Sequence, residues 1–444
     1  MQKEGRRRRR PDPRKIEVCG DDPLLTGVAG LVGFGAYLRV LGVDAALREQ
    51  FGHLKTSHQV VYPMHVQMRL LLDAVVSGEA RVFGLEKLAA DPLFVLLAGG
   101  AVPSIDTVYD DLARFGEPEL VALEAMMAEH GLAPLRGKRW KRIHLDVDTT
   151  VEPLFGRAIE GAVPGPNPHY HGRPCYHPML MRVAELDTLA GAVLRPGDTS
   201  FGNADVPTIV AWIERVRRLV GPHCTICVRV DAAGDCTALM AALDAMPNVT
   251  FVVKADMTPD LCFAIQAQTR WNTVDPKEGE RPMVQTAQIA FARNVWAPRE
   301  GSFRVVAVRS RIRDNGKQLY LWAGLDWTVQ AYITNDHAIP EAEVGRTYNL
   351  RAGIEPLIAD LKNGVGIGRV PTQVFDANHA MFLHKLLAFN LERRYTTERF
   401  PALRAWRTPW LHRALILQPG RLTRSGRHRT LHIHPASSLV CYLN

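Results

Sequence analysis

Residues 142–150 read Arg-Ile-His-Leu-Asp-Val-Asp-Thr-Thr, and this stretch predicts a β-strand that ends in the carboxylate of Asp148. A second stretch, Thr-Ile-Cys-Val-Arg-Val-Asp at residues 225–231, predicts another strand that ends in Asp231. Strand ends are rigid and open at the edge of a sheet, so carboxylates there can share divalent cations without being buried dry. The two stretches therefore predict a sheet whose edge carries a cation site.

A cluster of charged residues follows much later in the chain. Residues 348–362 read Tyr-Asn-Leu-Arg-Ala-Gly-Ile-Glu-Pro-Leu-Ile-Ala-Asp-Leu-Lys. Steps of three, four and seven residues return to one face of a helix, and they join Tyr348, Arg351, Glu355 and Lys362. One carboxylate is then flanked by two cations and a phenol. That arrangement suits a metal-binding acid whose neighbours hold a phosphodiester.

The proline that follows the glutamate complicates this helix. Pro356 has no backbone N–H to donate, and proline is best tolerated at the start of a helix. We therefore expect a kink, or a new helix starting at Pro356. Either would weaken the one-face arrangement for Tyr348 and Arg351.

These motifs together resemble the DDE transposases of bacterial insertion sequences, in the branch with a Tyr-Arg-Glu-Lys signature. The signature Y-x2-R-x3-E-x6-K is met at all four positions. Asp-Thr-Thr at residues 148–150 matches the first-acid motif, and Arg-Val-Asp at residues 229–231 matches the second. The resemblance covers most of the chain, and its specific part is the four-residue signature.

The resemblance implies an α/β fold, a ribonuclease-H-like mixed sheet with helices that is interrupted by a β-rich insertion and preceded by an all-helical domain. It implies that Asp148, Asp231 and Glu355 are the catalytic residues and hold Mg²⁺, with Mn²⁺ as an alternative. It also implies that the other members of the signature contact DNA, namely Tyr348, Arg351 and Lys362. Asp146 lies on the same strand face as Asp148 and is an alternative first ligand, although the Thr-Thr that follows favours Asp148.

The order of predicted elements agrees with this fold. Three strands (142–149, 178–186 and 189–195) precede a helix, a strand, a helix and a strand, and in the ribonuclease-H-like order the first and fourth strands are neighbours. The expected divisions are a basic disordered arm (1–20), a helical DNA-binding domain (21–135), two parts of the catalytic domain (138–255 and 337–400) with the β-rich insertion (256–336) between them, and a basic C-terminal tail (401–444). Asp314-Asn315-Gly316 predicts a tight hairpin inside the insertion.

Composition excludes several classes of protein. The 444 residues contain no apolar run long enough to span a membrane, and their seven scattered cysteines suit a reducing cytoplasm and not a disulfide scaffold. We therefore expect a cytoplasmic protein, at the bacterial nucleoid. Cys224 and Cys227 should fall on opposite faces of their strand as apolar fillers. The net charge of +8 concentrates at both ends of the chain, where arginines could clamp phosphates.

Two further features, a possible helix-turn-helix and the tryptophans of the insertion, each allow two interpretations. Ser104 is a plausible N-cap for a helix that resembles the second helix of a helix-turn-helix, but its aspartates would repel phosphate, so a helical bundle is favoured. The insertion carries Trp296, Trp322 and Trp327, which suit core packing better than stacking on an extruded base.

The leading hypothesis is a transposase that cleaves DNA at element ends and transfers the strand into target DNA. Its partners would be double-stranded DNA, as inverted-repeat ends and target, with no membrane and a dimer on paired ends. The alternatives are a metal-dependent nuclease of the same fold without strand transfer, and a catalytically silent DNA-binding regulator.

Overall fold

A computed structural model of the protein describes residues 17–156, 158–165, 171–275, 283–299, 301, 303–311 and 327–437. The short strand β1 (Leu25–Thr26) comes first. The N-terminal helices follow it: α1 (Leu31–Val40), α2 (Val43–Phe51), α3 (Met64–Val76), α4 (Gly84–Leu88), α5 (Pro92–Leu97), α6 (Ile105–Leu112) and α7 (Glu117–Leu132). Ser104 caps α6 as expected, because its hydroxyl accepts a hydrogen bond from Thr107 N at 3.3 Å.

The middle of the chain alternates between strands and helices. Its elements are β2 (Arg142–Thr149), β3 (Glu152–Pro153), β4 (Val163–Pro164), β5 (Pro174–Tyr176), β6 (Met179–Val183), β7 (Thr188–Val193), α8 (Val206–Val220), β8 (Thr225–Val230), α9 (Thr237–Asp244), β9 (Val249–Lys254), α10 (Pro259–Gln266), β10 (Asn272–Thr273), β11 (Val284–Ile289), β12 (Arg304–Arg311) and β13 (Trp327–Thr334).

Helices return after the last of these strands. The C-terminal elements are α11 (Glu341–Asn349), α12 (Ile354–Asp360), α13 (Phe375–Arg399), α14 (Thr408–Leu411), β14 (Gly420–Ser425) and β15 (His428–Ile433). No helix in the described ranges has the length and apolar character needed to cross a membrane.

Nine strands form one large mixed sheet in the order β10-β11-β12-β13-β9-β8-β2-β6-β7. Strand β2 runs parallel to β8, with Val147 opposite Val230, and antiparallel to β6. The predicted pairing of the first and fourth strands is therefore confirmed. The residues that follow this matched pair are Asp148 and Asp231, so the register alone brings the two acids to one edge.

The β-rich segment 256–336 continues the central sheet. Strand β13 pairs antiparallel with β9, placing Tyr332 opposite Lys254, and β12, β11 and β10 follow in turn. Trp296 is buried in the core beside this part of the sheet, as its packing interpretation predicted. The predicted hairpin at residues 314–316 and Trp322 lie outside the described residues.

The sheet separates two main apolar cores. Leu145 and Val147 of β2 point into a core with α8, α9 and α10, whereas the helices of the N-terminal region share a core with α12 and α13. Because side chains alternate along a strand, Asp146 and Asp148 face away from the Leu145 and Val147 side. Buried Cys224 packs in the first of these cores and buried Cys227 on the other face of the sheet, as predicted.

Candidate active site

The two strand-end aspartates lie together at the edge of the sheet. Asp148 is the second-last residue of β2, and its Oδ1 accepts a hydrogen bond from Thr149 N at 2.9 Å. Asp231 directly follows β8 and caps a short 3₁₀ turn by accepting a hydrogen bond from Ala233 N at 3.1 Å. The Asp148 side chain is 13% exposed and that of Asp231 is 42% exposed. The pair therefore has one sheltered and one open carboxylate.

The charged signature does not lie on a single continuous helix. Helix α11 ends at Asn349, a 3₁₀ turn covers Leu350–Gly353, and α12 begins at Ile354. Pro356 is the third residue of the new helix, where its missing N–H costs nothing, because the first helical N–H groups have no intrahelical acceptor. The expected break near Pro356 is confirmed, and the regular one-face helix is wrong.

Arg351 lies between the two aspartates. Its Nη2 is 2.9 Å from Asp148 Oδ1 and 3.8 Å from Asp231 Oδ2. The same nitrogen donates a hydrogen bond to Val147 O at 3.1 Å. The residue is buried, so in this conformation its charge is used to hold the strand ends together.

The environment of Asp148 disfavours its charged form. Burial raises the pKa of Asp148 to about 6, against the opposing effect of the Arg351 guanidinium, and the nearby carboxylate of Asp231 raises it further. A buried carboxylate with a neighbouring acid and a displaced pKa is a frequent mark of a functional site.

Asp146, the alternative first ligand, is enclosed. Its side chain is fully buried, with Oδ1 at 2.6 Å from Arg229 Nε and Oδ2 at 2.8 Å from Arg182 Nη1. An added Cβ at Gly353 would lie 2.6 Å from Arg182 Nη1, so the signature turn closes over this ion cluster. Both carboxylate oxygens of Asp146 are engaged, and the geometry favours Asp148 as the acid that can reach a ligand.

Tyr348 packs against a second tyrosine of the sheet. Its ring centroid is 4.8 Å from that of Tyr332, and the residue is half-buried. Burial raises the pKa of the Tyr348 phenol, Arg351 opposes this rise, and the carboxylates of Asp231, Asp148 and Glu355 add to it. Glu355 itself is exposed on α12.

Lys362 contacts Glu152, a residue that the sequence did not single out. Its Nζ donates a hydrogen bond to Val151 O at 2.9 Å and lies 3.1 Å from Glu152 Oε1. Glu152 is buried, and burial raises its pKa while Lys362 opposes the rise. In the amino-acid sequence, Glu152 and Arg182 stand out in one way only. Each is a charged residue within an otherwise apolar stretch. In this conformation Lys362 ties the signature to the segment after β2.

The donor set suits a hard divalent cation. Carboxylate oxygens are the ligands that Mg²⁺ prefers, and the position between Asp148 and Asp231 already accommodates a positive guanidinium. Across the described ranges, however, no three Asp, Glu, His or Cys side chains are close enough to hold a metal ion together. Glu355 therefore does not form a compact metal-binding cluster with the two aspartates in this conformation.

Comparison with known protein families gives a match over almost the whole chain. The family model described as "Transposase DDE domain group 1" matches residues 10–440. No curated protein matches the sequence. Among solved structures, the chain is similar to the piggyBac transposase in a cryo-EM synaptic complex with hairpin DNA. The two are 11% identical, the match covers 89% of this chain and 79% of that chain, and the TM-score is 0.48.

Proposed function

This chain belongs to the transposase DDE domain group 1 family, and from that premise we propose that it cleaves DNA at the ends of an insertion sequence and transfers the freed strand into target DNA. Family membership makes it a transposase of the DDE class, whose members use divalent metal ions. The observation that carries the proposal is the pair Asp148 and Asp231 on adjacent parallel strands, linked through one guanidinium nitrogen.

We assign the metal ligands to Asp148, Asp231 and Glu355, with Mg²⁺ as the ion and Mn²⁺ as an alternative. The two aspartates offer hard oxygen donors at an edge of the sheet that solvent reaches through Asp231. Asp148, Asp231 and Glu355 would hold the divalent ions, which when bound would supply Lewis acidity to an attacking and a leaving oxygen. Glu355 is exposed on α12, and in this proposal its carboxylate would complete the set when the metal binds.

The other signature residues hold and orient the DNA in this proposal. Arg351, once released from the aspartates, has the planar donor fork that suits a phosphate. Lys362 is partly exposed and supplies a compact positive charge at the same edge. Tyr348 offers an aromatic face beside the acids for a sugar or phosphate. The three would bind the backbone near the scissile phosphate.

The strand order supports the proposal of a ribonuclease-H-like catalytic domain, and the signature at residues 348–362 supports its assignment to the Tyr-Arg-Glu-Lys branch. Strands β2, β6 and β7 are antiparallel neighbours, and β8 and β9 are added parallel to β2 through helical crossovers. This is the strand order expected of that fold. Because two element ends must be joined, two subunits on paired ends are the simplest assembly.

The test is a cleavage and joining assay on labelled duplex DNA that carries the sequences flanking the gene. With Mg²⁺ the wild-type protein should nick the element ends and join the freed 3′-OH to a second DNA. Glu355→Gln keeps the shape and removes the charge, so it should abolish both reactions and leave DNA binding unchanged.

Each hypothesis predicts a distinct result. Cleavage without joined product would indicate a metal-dependent nuclease. Binding without any cleavage by the wild-type protein would indicate a silent regulator. Activity of Glu355→Gln within about tenfold of wild type, a change of only about 1.4 kcal/mol, would remove Glu355 from the ligand set.

A further inference from the structure

The C-terminal end of the chain is unusually one-sided in charge. From Arg399 to Asn444 the sequence contains eight arginines and neither lysine, aspartate nor glutamate. Four of these arginines lie in the hairpin formed by β14 and β15, namely Arg421, Arg424, Arg427 and Arg429. We call residues 420–433 the arginine hairpin.

The register of the arginine hairpin places like charges face to face. Arg424 is directly opposite Arg429, and on the same face Leu422 is opposite Leu431. Like charges directly opposite each other destabilise a strand pair. Both arginines are exposed, and no acidic side chain in the described ranges pairs with either of them or with Arg427 at the turn. Arg424 Nε donates a hydrogen bond to Gly426 O at 2.9 Å within the turn. The positive charge of the tip, which no carboxylate of the described residues offsets, suits an anionic partner.

The other face of the same hairpin behaves differently. Arg421 Nε lies 3.0 Å from Asp22 Oδ2, so its charge is compensated within the protein. The contrast between Arg421 and the pair at the tip gives a matched internal control.

The base of the arginine hairpin is firmly mounted. Strand β1 pairs with β14, and Leu422 N donates to Leu24 O at 2.8 Å. Thr26 of β1 in turn donates its hydroxyl to Asp91 Oδ1 at 2.8 Å, and Asp91 caps α5. The tip is therefore presented by a backbone tied to the helical region, which reduces the entropy lost when a partner is bound.

The two tip arginines also border a groove. A cavity of about 280 Å³ lies between the hairpin and α5, with Arg424 and Arg429 on one wall and Pro92, Val95 and Leu96 on the other. An apolar wall beside two guanidinium groups suits the alternating sugar and phosphate of a nucleic-acid backbone.

We propose that the arginine hairpin is a docking surface for the phosphate backbone of duplex DNA, separate from the catalytic edge. This inference rests on the proposed function, because that function makes duplex DNA the substrate. Guanidinium groups donate two parallel hydrogen bonds to a phosphate, and two facing arginines can grip neighbouring phosphates of one strand. Contacts of this kind set register and affinity without reading bases.

The test compares the double variant Arg424→Gln/Arg429→Gln with the control Arg421→Gln in the full-length protein. Binding to duplex DNA is followed by fluorescence anisotropy from about 50 to 200 mM salt, where each lost phosphate contact reduces the slope of log affinity against log salt by about 0.9. The double variant should lose about two units of slope and about tenfold or more in affinity at about 0.1 M salt. Arg421→Gln should lose little, and Arg424→Lys/Arg429→Lys should recover most of the slope.

Thermal unfolding shows whether the double variant is folded. The melting temperature of the double variant should equal or exceed that of wild type, because the substitution removes a repulsion. An unchanged salt slope, or an equal loss in Arg421→Gln, would overturn the docking surface.

The proposed function and the docking surface can be tested separately. If the wild-type protein cleaves and joins DNA while the double variant binds as well as wild type, only the docking surface is wrong. If the wild-type protein neither binds nor cleaves duplex DNA, the proposed function and the docking surface both fail. The docking surface would also be overturned if the double variant lost affinity for duplex RNA but kept its affinity for duplex DNA.

Discussion

Asp146 and Asp148 are two residues apart on β2 and face the same side of the sheet, yet their surroundings are opposite. Asp146 is fully buried between Arg182 and Arg229, with an ion-pair contact on each oxygen. Asp148 lies at the strand end, partly reached by solvent, and shares one guanidinium with Asp231. An aspartate therefore forms a closed ion cluster at position 146, whereas an aspartate at position 148 forms an open one.

The difference follows from the neighbours that the sheet supplies. Asp146 is flanked in register by Arg182 of β6 and Arg229 of β8, so both neighbouring strands contribute a cation at its level. Asp148 lies beyond the last ladder pair of β8 and meets Arg351 from a turn. Strand partners are fixed by backbone pairing, whereas a turn can move. We infer that Asp146 stabilises the sheet, and the proposal that Asp148 serves the chemistry uses the more open of the two positions.

The largest expected effect is on stability, from Asp146→Asn. This substitution leaves Arg229, which is 1% exposed, without a carboxylate partner. Removing one member of a buried pair costs about 3–5 kcal/mol, so the unfolding midpoint in denaturant should fall sharply.

Asp148→Asn is the matched control for that measurement, because it removes a carboxylate from the same strand and face. Its unfolding free energy at neutral pH should match or exceed that of wild type. If the two substitutions lowered the unfolding free energy equally, the inferred difference between the closed cluster at Asp146 and the open one at Asp148 would be wrong.

The next effect concerns pH. The pKa of Asp148 is raised in the folded protein to about 6, so the folded state holds this proton more tightly than the unfolded chain does. The contribution of Asp148 to stability is therefore greatest below the unfolded pKa near 4 and is lost as pH rises to about 6. A shift of this size is worth roughly 3 kcal/mol.

This prediction is measured as the difference in unfolding free energy between wild type and Asp148→Asn across that window. The stability of wild type relative to the variant should decline with rising pH and then level off above about pH 6. A difference that is flat, or that increases with pH, would show that burial does not control this carboxyl.

A smaller effect is expected from Arg351→Gln. The guanidinium lowers the pKa of Asp148 against the effect of burial, so its removal should raise that pKa further. The pH at which the stability contribution of Asp148 is lost should move upward. Carboxyl carbon NMR of Asp148 would give the shift directly, and a downward shift would contradict the charge assignment.

The smallest effect is expected from Tyr348→Phe. The phenylalanine ring retains the packing on Tyr332, so the free energy of unfolding should change by less than about 0.5 kcal/mol, as for substitutions that keep packing. DNA cleavage should fall if the hydroxyl contacts the backbone near Asp148. A large loss of stability would show that the Tyr348 hydroxyl helps to hold the fold together, as the buried ion cluster of Asp146 does.

The sequence predicted the elements better than their contacts. The pairing of β2 with β8 followed from strand order, and the break near Pro356 followed from the chemistry of proline. The burial of Asp146 was not predictable, because it depends on Arg182 arriving from another strand. The continuation of the sheet into β10–β13 was equally hidden, since a β-rich pattern does not specify which edge it joins.

The site shows the same limit. Helical spacing grouped Tyr348, Arg351 and Glu355, and of these Arg351 contacts both aspartates. The 3₁₀ turn directs Arg351 inward, whereas Glu355 at the start of α12 is exposed. Side-chain direction in an irregular turn depends on tertiary packing. The roles of these residues in catalysis stay predictions that only activity can test.

Cleavage of flanking-sequence DNA by Asp148→Asn in Mg²⁺ or Mn²⁺ tests the central claim most directly, since the claim makes Asp148 a metal ligand at the open edge of the sheet. The account predicts a folded protein that binds DNA as wild type does and whose cleavage rate falls by more than about a hundredfold, a barrier increase of about 2.7 kcal/mol or more. Cleavage within about tenfold of the wild-type rate by a folded Asp148→Asn protein would contradict it.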